Sequence, residues 1–124
     1  MAVRGVRGAT VVHEDQPEFI YMATRELILA ILEQNPGMQT EDIASVLFTV
    51  TEDLASAYPA RAARQVGWDS VPLMCAREIP VSGSLQRCIR IMLHWNTDTP
   101  QSDVRHVYLG AAASLRPDIS KADV

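Results

Sequence analysis

Cysteine is scarce in this chain of 124 residues, and this argues against protein classes that depend on disulfide bonds or cysteine motifs. Only Cys75 and Cys88 occur, without the Cys-x-x-Cys spacing of a redox or zinc motif. This argues against a disulfide scaffold, and a reducing, cytoplasmic compartment is the expected location. Because the three histidines are scattered through the sequence without metal-ligand spacing, we expect no metal site.

Long apolar runs and an excess of positive charge are also missing. No stretch approaches the roughly 18–20 apolar residues that a membrane-crossing helix needs, and no signal peptide is visible before the acidic pair Glu14 and Asp15. The 11 lysines and arginines are outnumbered by 15 aspartates and glutamates, which gives a formal net charge of −4. We therefore expect neither a membrane nor a nucleic acid as a partner, and positive charge must act locally.

The composition is that of one ordinary globular domain. Apolar residues make up 48% and charged residues 21%, so a single domain over residues 1–124 is expected, with 117–124 as a mobile polar tail. Helices are predicted from an Asp15 N-cap to Asn35 and over Tyr58–Gln65, with a helical turn at Thr40–Ala44. Strands are predicted at Val3–Val12, Ser45–Val50, Val71–Ile79, Leu85–Trp95 and within Val104–Leu115. This order favours an α+β fold, a mixed sheet with one long and one short helix.

The segment Leu85–Trp95 alternates most clearly between two faces. Ile89, Ile91, Leu93 and Trp95 share one face, and Cys88, Arg90, Met92 and His94 share the other. Arg90 therefore lies among apolar neighbours, where a permanently charged guanidinium needs an anionic partner. That partner is either an internal carboxylate or a negatively charged ligand.

A second arginine, Arg7, lies between two glycines of the first strand. Glycine inside a strand marks a bulge or a close approach by backbone or ligand, so Gly5 and Gly8 would let a ligand approach the chain at Arg7. By itself this Arg-Gly-x-Arg-Gly pattern is also typical of a solvated strand edge.

Together these segments resemble the small, monofunctional, barrel-type chorismate mutases. The matching stretches, in chain order, are Val3–Thr10, Tyr58–Arg64, Gly67–Trp68, Val71–Pro72, Cys75–Glu78, Cys88–Arg90, Arg105–Leu109 and Leu115–Asp118. The resemblance implies conversion of chorismate to prephenate in phenylalanine and tyrosine biosynthesis, without a cofactor. It also implies a homotrimer of pseudo-α/β-barrels whose active sites lie between subunits.

The resemblance assigns roles to individual residues. Arg90 would face the ether oxygen of the substrate from a water-poor crevice, and Arg7 would bind the carboxylate side. Glu78 would accept a hydrogen bond from the ring hydroxyl, with Cys75 nearby, and Tyr108 would donate to a carboxylate. The remaining substrate-binding residues by resemblance are Tyr58, Ala60, Arg64, Leu73, Met74, Leu115 and Arg116.

The sequence leaves two points open. Cys75 and Glu78 are three residues apart, so strand alternation places them on opposite faces unless a bend or the strand end intervenes. The same arginines would also serve a non-catalytic trimeric module that binds a carboxylated metabolite through Arg7, Arg90 and Tyr108. An enamine or imine deaminase is a weaker alternative, because the sequence offers no convincing base to activate water.

Overall fold

The computed structural model describes residues 1–115 as a five-stranded mixed sheet with two α-helices. The strands are β1 (Ala2–Val11), β2 (Ile43–Val50), β3 (Leu73–Arg77), β4 (Cys88–Thr97) and β5 (Val107–Tyr108); the helices are α1 (Pro17–Gln34) and α2 (Pro59–Gln65). Short 3-10 turns cover Thr40–Asp42, Gln101–Asp103 and Gly110–Leu115. The α+β prediction is confirmed.

The strand order across the sheet is β3-β2-β4-β1-β5. The central strand β4 is antiparallel to both β1 and β2, and the two outer strands run parallel to their neighbours. As a result, Arg90 of β4 lies between Ala9 of β1 and Thr49 of β2. In the described residues, β3 and β5 form the two edges of the sheet.

One face of the sheet packs against α1. The four apolar side chains predicted to share a face of β4 are at most 4% exposed and join one core with Ile20, Leu27, Ile28 and Ile31. Burying each such side chain contributes about 1.5–3 kcal/mol to the free energy of unfolding, so packing on this face stabilises the fold. We call the opposite face, which carries Arg7, Thr49, Met74, Arg90 and Met92, the open face.

The start of α1 differs from the prediction. The N-cap residue is Gln16, without a side-chain cap, and Pro17 begins the helix. Asp15 instead bridges to the loop before α2, where its Oδ1 accepts hydrogen bonds from the backbone N–H groups of Ala55 and Ser56, both at 3.1 Å. A hydrogen bond from the Ser56 side chain, assisted by these backbone donors, lowers the pKa of Asp15 from its ordinary value of 3.8. The Asp15 capping prediction is therefore wrong.

The predicted strand within Val104–Leu115 is also mostly wrong. Only Val107 and Tyr108 pair with β1, because Gly110 adopts a φ of +55° and turns the chain into a 3-10 segment. Leu109 also donates its N–H to the Ala9 carbonyl at 2.9 Å, and Ala112 of the 3-10 segment shares a buried cluster with Ala9 of β1. This turn brings Leu115 back towards the open face.

The backbone of β5, rather than open space for a ligand, lies beside Gly8. A Cβ built there would lie 2.9 Å from the Val107 carbonyl oxygen and 3.1 Å from both Ile91 and Leu27. Its missing side chain would point into the core, away from Arg7. The ligand-approach prediction is therefore wrong for Gly8, and the close approach is made by the backbone of β5.

No helix within residues 1–115 is both long and apolar enough to cross a membrane. In the same range, histidine, cysteine and acidic side chains form no group of three suited to hold a metal ion. Arg116 and the tail predicted at 117–124 lie outside the described residues.

Candidate active site

A compact charged cluster lies on the open face of the sheet. Arg7, Thr49, Glu78 and Arg90 line a shallow cavity of about 150 Å³, together with apolar side chains that include Met92. Arg7 pairs with Met92, one alternation along from Arg90, so both guanidinium groups project from the same face. The fold therefore brings together Arg7, Arg90 and Glu78, the three charged residues singled out in the sequence.

The end of β3 places Glu78 in this cluster. Its backbone N–H donates to the Val50 carbonyl at 2.9 Å, so the chain continues alongside β2 for one residue beyond Arg77. Alternation then puts Glu78 on the face of Met74, which is the open face, and Cys75 on the other. Strand alternation thus continues to Glu78, and within one copy Cys75 does not lie beside Glu78 as the resemblance implies.

Glu78 has two polar contacts within the described cluster, both through Oε2. The Thr49 hydroxyl donates to this oxygen at 2.6 Å, and the Arg90 Nε lies 3.5 Å from it. A hydroxyl-to-carboxylate bond of this length is a short, charge-assisted one, whereas 3.5 Å is long for a guanidinium-to-carboxylate contact. Arg90 thus has an internal carboxylate nearby without being fully engaged by it.

One chain does not seal this site from water. The side chain of Arg90 is 37% exposed and that of Glu78 is 25% exposed. With Arg7, the three charges sum to +1, which suits an anionic ligand. The water-poor crevice expected around Arg90 is therefore not formed by residues 1–115 of a single copy.

A larger cavity of about 530 Å³ lies on the helix side of the sheet edge. Its walls include Tyr58, Arg61, Arg64 and Cys75. Tyr58 is 73% exposed, and the Arg61 guanidinium lies 5.7 Å from the centre of the Tyr21 ring. Three of the predicted binding residues thus meet here, on the opposite side of the sheet from Arg90.

The other predicted residues are distributed between these regions. Leu115 lines a small cavity of about 40 Å³ with Glu78 and Arg90. Tyr108 is buried near the start of β4, against Cys88. On the edge strand, Leu73 packs against the core, while Met74 is 67% exposed on the open face. Ala60 of α2 is buried in the core and does not line the helix-side cavity.

Two neighbours of the cluster were not assigned to the site by sequence reasoning. Thr49 binds Glu78, and His106 accepts a hydrogen bond from the Arg7 backbone N–H at its Nδ1, 2.9 Å away. The ring proton of neutral His106 must therefore lie on Nε2. Once β2 and β4 are paired, Thr49 lies opposite Arg90, and this position in the sheet could have indicated that Thr49 belongs to the site. No pattern in the sequence indicated the His106 contact.

Cys88 occupies the same face one alternation before Arg90. Its thiol is buried, and burial raises its pKa, although the Arg90 charge acts in the opposite direction. Both cysteines are free thiols, and they lie on opposite faces of the sheet.

Comparison with known proteins identifies the family of this chain. Residues 3–119 match the chorismate mutase type I family. The chain belongs to this family. It is 61% identical over 120 residues to the chorismate mutase AroH of Thermus thermophilus, covering 97% of this chain and 98% of the relative.

Two further relatives extend the comparison. The chorismate mutase AroH of Bacillus subtilis strain 168 is 44% identical over 121 residues, covering 97% of this chain and 94% of that protein. The solved structure of a chorismate mutase from Clostridium thermocellum superposes with a TM-score of 0.86 at 47% identity, covering 89% of this chain and 97% of that one. The resemblance drawn from the sequence is therefore confirmed at the level of family and fold.

Proposed function

We propose that this protein is an isomerase that converts chorismate to prephenate in the synthesis of phenylalanine and tyrosine. The observation that carries the proposal is the grouping of Arg7, Arg90 and Glu78 on the open face, in a chain of the chorismate mutase type I family. Its two free thiols suit the reducing cytoplasm, where we expect the protein to act.

The reaction explains why these residue types are required. Chorismate is a dianion, and its rearrangement breaks a carbon–oxygen ether bond while a carbon–carbon bond forms within the same molecule. Negative charge builds on the ether oxygen, and no proton is transferred. Catalysis then consists of holding a compact conformer and stabilising that charge.

Each charged residue has a distinct task in this mechanism. Arg90 donates N–H groups to the ether oxygen as its charge develops, and Arg7 binds a carboxylate. Both contacts of Glu78 described above use Oε2, so we assign Oε1 to the ring hydroxyl of the substrate. Tyr108 and the tail residue Arg116 are proposed to complete the carboxylate contacts.

We further propose that the complete site forms between copies of a homotrimer. The group of Tyr58, Arg64 and Cys75 lies across the sheet from Arg90, so one ligand cannot reach both groups within one chain. In the trimer, the helix-side cavity of one copy faces the open face of the next. The exposed Met74 on that face supports such packing.

The activity is tested by following chorismate loss with the purified full-length chain. We expect turnover far above the uncatalysed rate, without added metal or cofactor and without a solvent isotope effect, because no proton transfer limits the reaction. A rate equal to the uncatalysed one would refute the proposal. Tight prephenate binding without turnover would instead favour a carboxylate-binding module.

The shared site is tested by mixing two inactive variants, Arg64→Ala and Arg90→Ala. If the two arginines of a site come from different copies, random co-refolding should restore about a quarter of the sites of a three-fold ring, and each variant refolded alone should stay inactive. No recovery, in trimers verified by sedimentation, would show that both side chains belong to the same copy.

A further inference from the structure

We propose that Thr49 is a positioning residue that holds Glu78 in the geometry needed for catalysis. This inference rests on the proposed function and assigns a role to a side chain that does not itself touch the reacting bond. Thr49 lies on β2 at the ladder position opposite Arg90, and its hydroxyl donates to Glu78 Oε2 at 2.6 Å.

The Thr49 hydroxyl is suited to fixing a carboxylate. It carries a single hydrogen, which is committed to Glu78, and the bond length lies in the range of charge-assisted O–H···O⁻ contacts. Because threonine is β-branched and lies within a central region of the sheet, its side chain has little rotational freedom. Glu78, by contrast, follows the last residue of an edge strand and has a long, flexible, partly exposed side chain.

The position of Arg90 shows why such a restraint is needed. Its Nε is 3.5 Å from the same Glu78 oxygen that Thr49 binds. Without the threonine hydroxyl, the carboxylate would be free to close on the guanidinium and form a full ion pair, as opposite charges at this distance attract. That ion pair would occupy the N–H groups of Arg90 that the ether oxygen needs. Thr49 therefore keeps Glu78 and Arg90 close but separate.

The test compares three substitutions on β2. Thr49→Val keeps the branched shape and removes the hydroxyl, Thr49→Ser keeps the hydroxyl, and Ser45→Ala removes a different hydroxyl of the same strand and face, one bonded to His94 at 3.0 Å. We expect Thr49→Val to lower kcat/KM about tenfold, or about 1.4 kcal/mol. Thr49→Ser and Ser45→Ala should both stay within about twofold of the wild type, with melting temperatures unchanged.

A double-mutant cycle separates positioning from general structural damage. In a Glu78→Ala background, Thr49→Val should cost no further activity, because the group it positions is gone. An equal tenfold loss in that background would overturn the inference, and so would a Thr49→Val enzyme as active as the wild type. If Thr49→Val does not fold, Thr49→Ala replaces it. A wild-type chain without chorismate turnover would refute the proposed function, and this role with it, whereas an active wild type with an unaffected Thr49→Val variant would refute the role alone.

Discussion

Replacing Arg90 with citrulline tests the central electrostatic claim most directly. Citrulline keeps the length, planarity and Nε–H of arginine, and with them the contact to Glu78 at 3.5 Å, but it carries no charge. Chemical synthesis of a chain of 124 residues in ligated segments gives access to this variant. Because citrulline has a carbonyl oxygen in place of one terminal NH2 group, any loss of rate reports the charge together with that donor rather than a cavity or a disturbed strand.

The exposure of Arg90 sets the size of the expected effect. A unit charge about 4 Å from another contributes about 1 kcal/mol in bulk water and about 4 kcal/mol at the effective dielectric constant near 20 that is typical of protein sites. These energies correspond to about a fivefold and about a thousandfold change in rate. In one chain the Arg90 side chain is 37% exposed, so the energy expected there is closer to the value of about 1 kcal/mol in water. In a site covered by a second copy, the energy is closer to the value of about 4 kcal/mol.

We therefore expect the citrulline variant to lose between about 100-fold and 1,000-fold in kcat, the range found when an oxyanion donor is removed. Single-turnover assays of chorismate loss measure the effect, and thermal unfolding verifies that the fold is kept. Arg7→Ala, which should mainly raise KM, serves as the comparison. A citrulline enzyme within about fivefold of the wild type in kcat would refute the argument from charge stabilisation in a covered site.

Three further predictions concern the fold around the site. Because hydrogen bonding lowers the pKa of Asp15 below 3.8, its stabilising effect is present at neutral pH and lost on acidification. Asp15→Ala should therefore lower the melting temperature at pH 7, with the difference from wild type shrinking below about pH 4; an equal difference at every pH would contradict this. Gly8→Ala should cost about 1–3 kcal/mol in urea denaturation, because its Cβ meets the Val107 carbonyl at 2.9 Å, and an unchanged midpoint would contradict the packing. Since burial raises the pKa of Cys88, alkylation followed by mass spectrometry should modify Cys75 first at neutral pH, and faster labelling of Cys88 would disagree with its burial.

Local pattern was sufficient to predict the centre of the sheet. The alternation along β4 assigned Ile89 and Leu93 to the core and Arg90 to the other face, because a buried antiparallel strand must separate its side chains by face. Proline and glycine likewise bounded α2, where Pro59 begins the helix and Gly67 follows it at a φ of +105°.

The errors arose where a distant segment decides the local structure. Asp15 has the features of a helix cap, but the loop before α2 offers it two backbone donors. Val104–Leu115 contains apolar residues typical of a strand, yet only Val107 and Tyr108 form strand pairs with β1 before Gly110 turns the chain. Gly8 was assigned to a ligand because its neighbour is Arg7, whereas its space is taken by a strand nearly 100 residues away in sequence.

The proposed division of the site between two faces also has a physical reason. A guanidinium enclosed in the core of one chain would lose its hydration during folding, at a cost that an imperfect ion pair does not repay. On the open face, Arg90 keeps part of its contact with water while the chain folds, and Glu78 lies close enough to limit the repulsion from Arg7. In the proposed trimer, water is excluded only when a second copy covers this face and a dianion supplies the compensating charge. Assembly of the proposed trimer would thus provide the low-dielectric surroundings that catalysis needs without requiring a single chain to fold around an uncompensated cation.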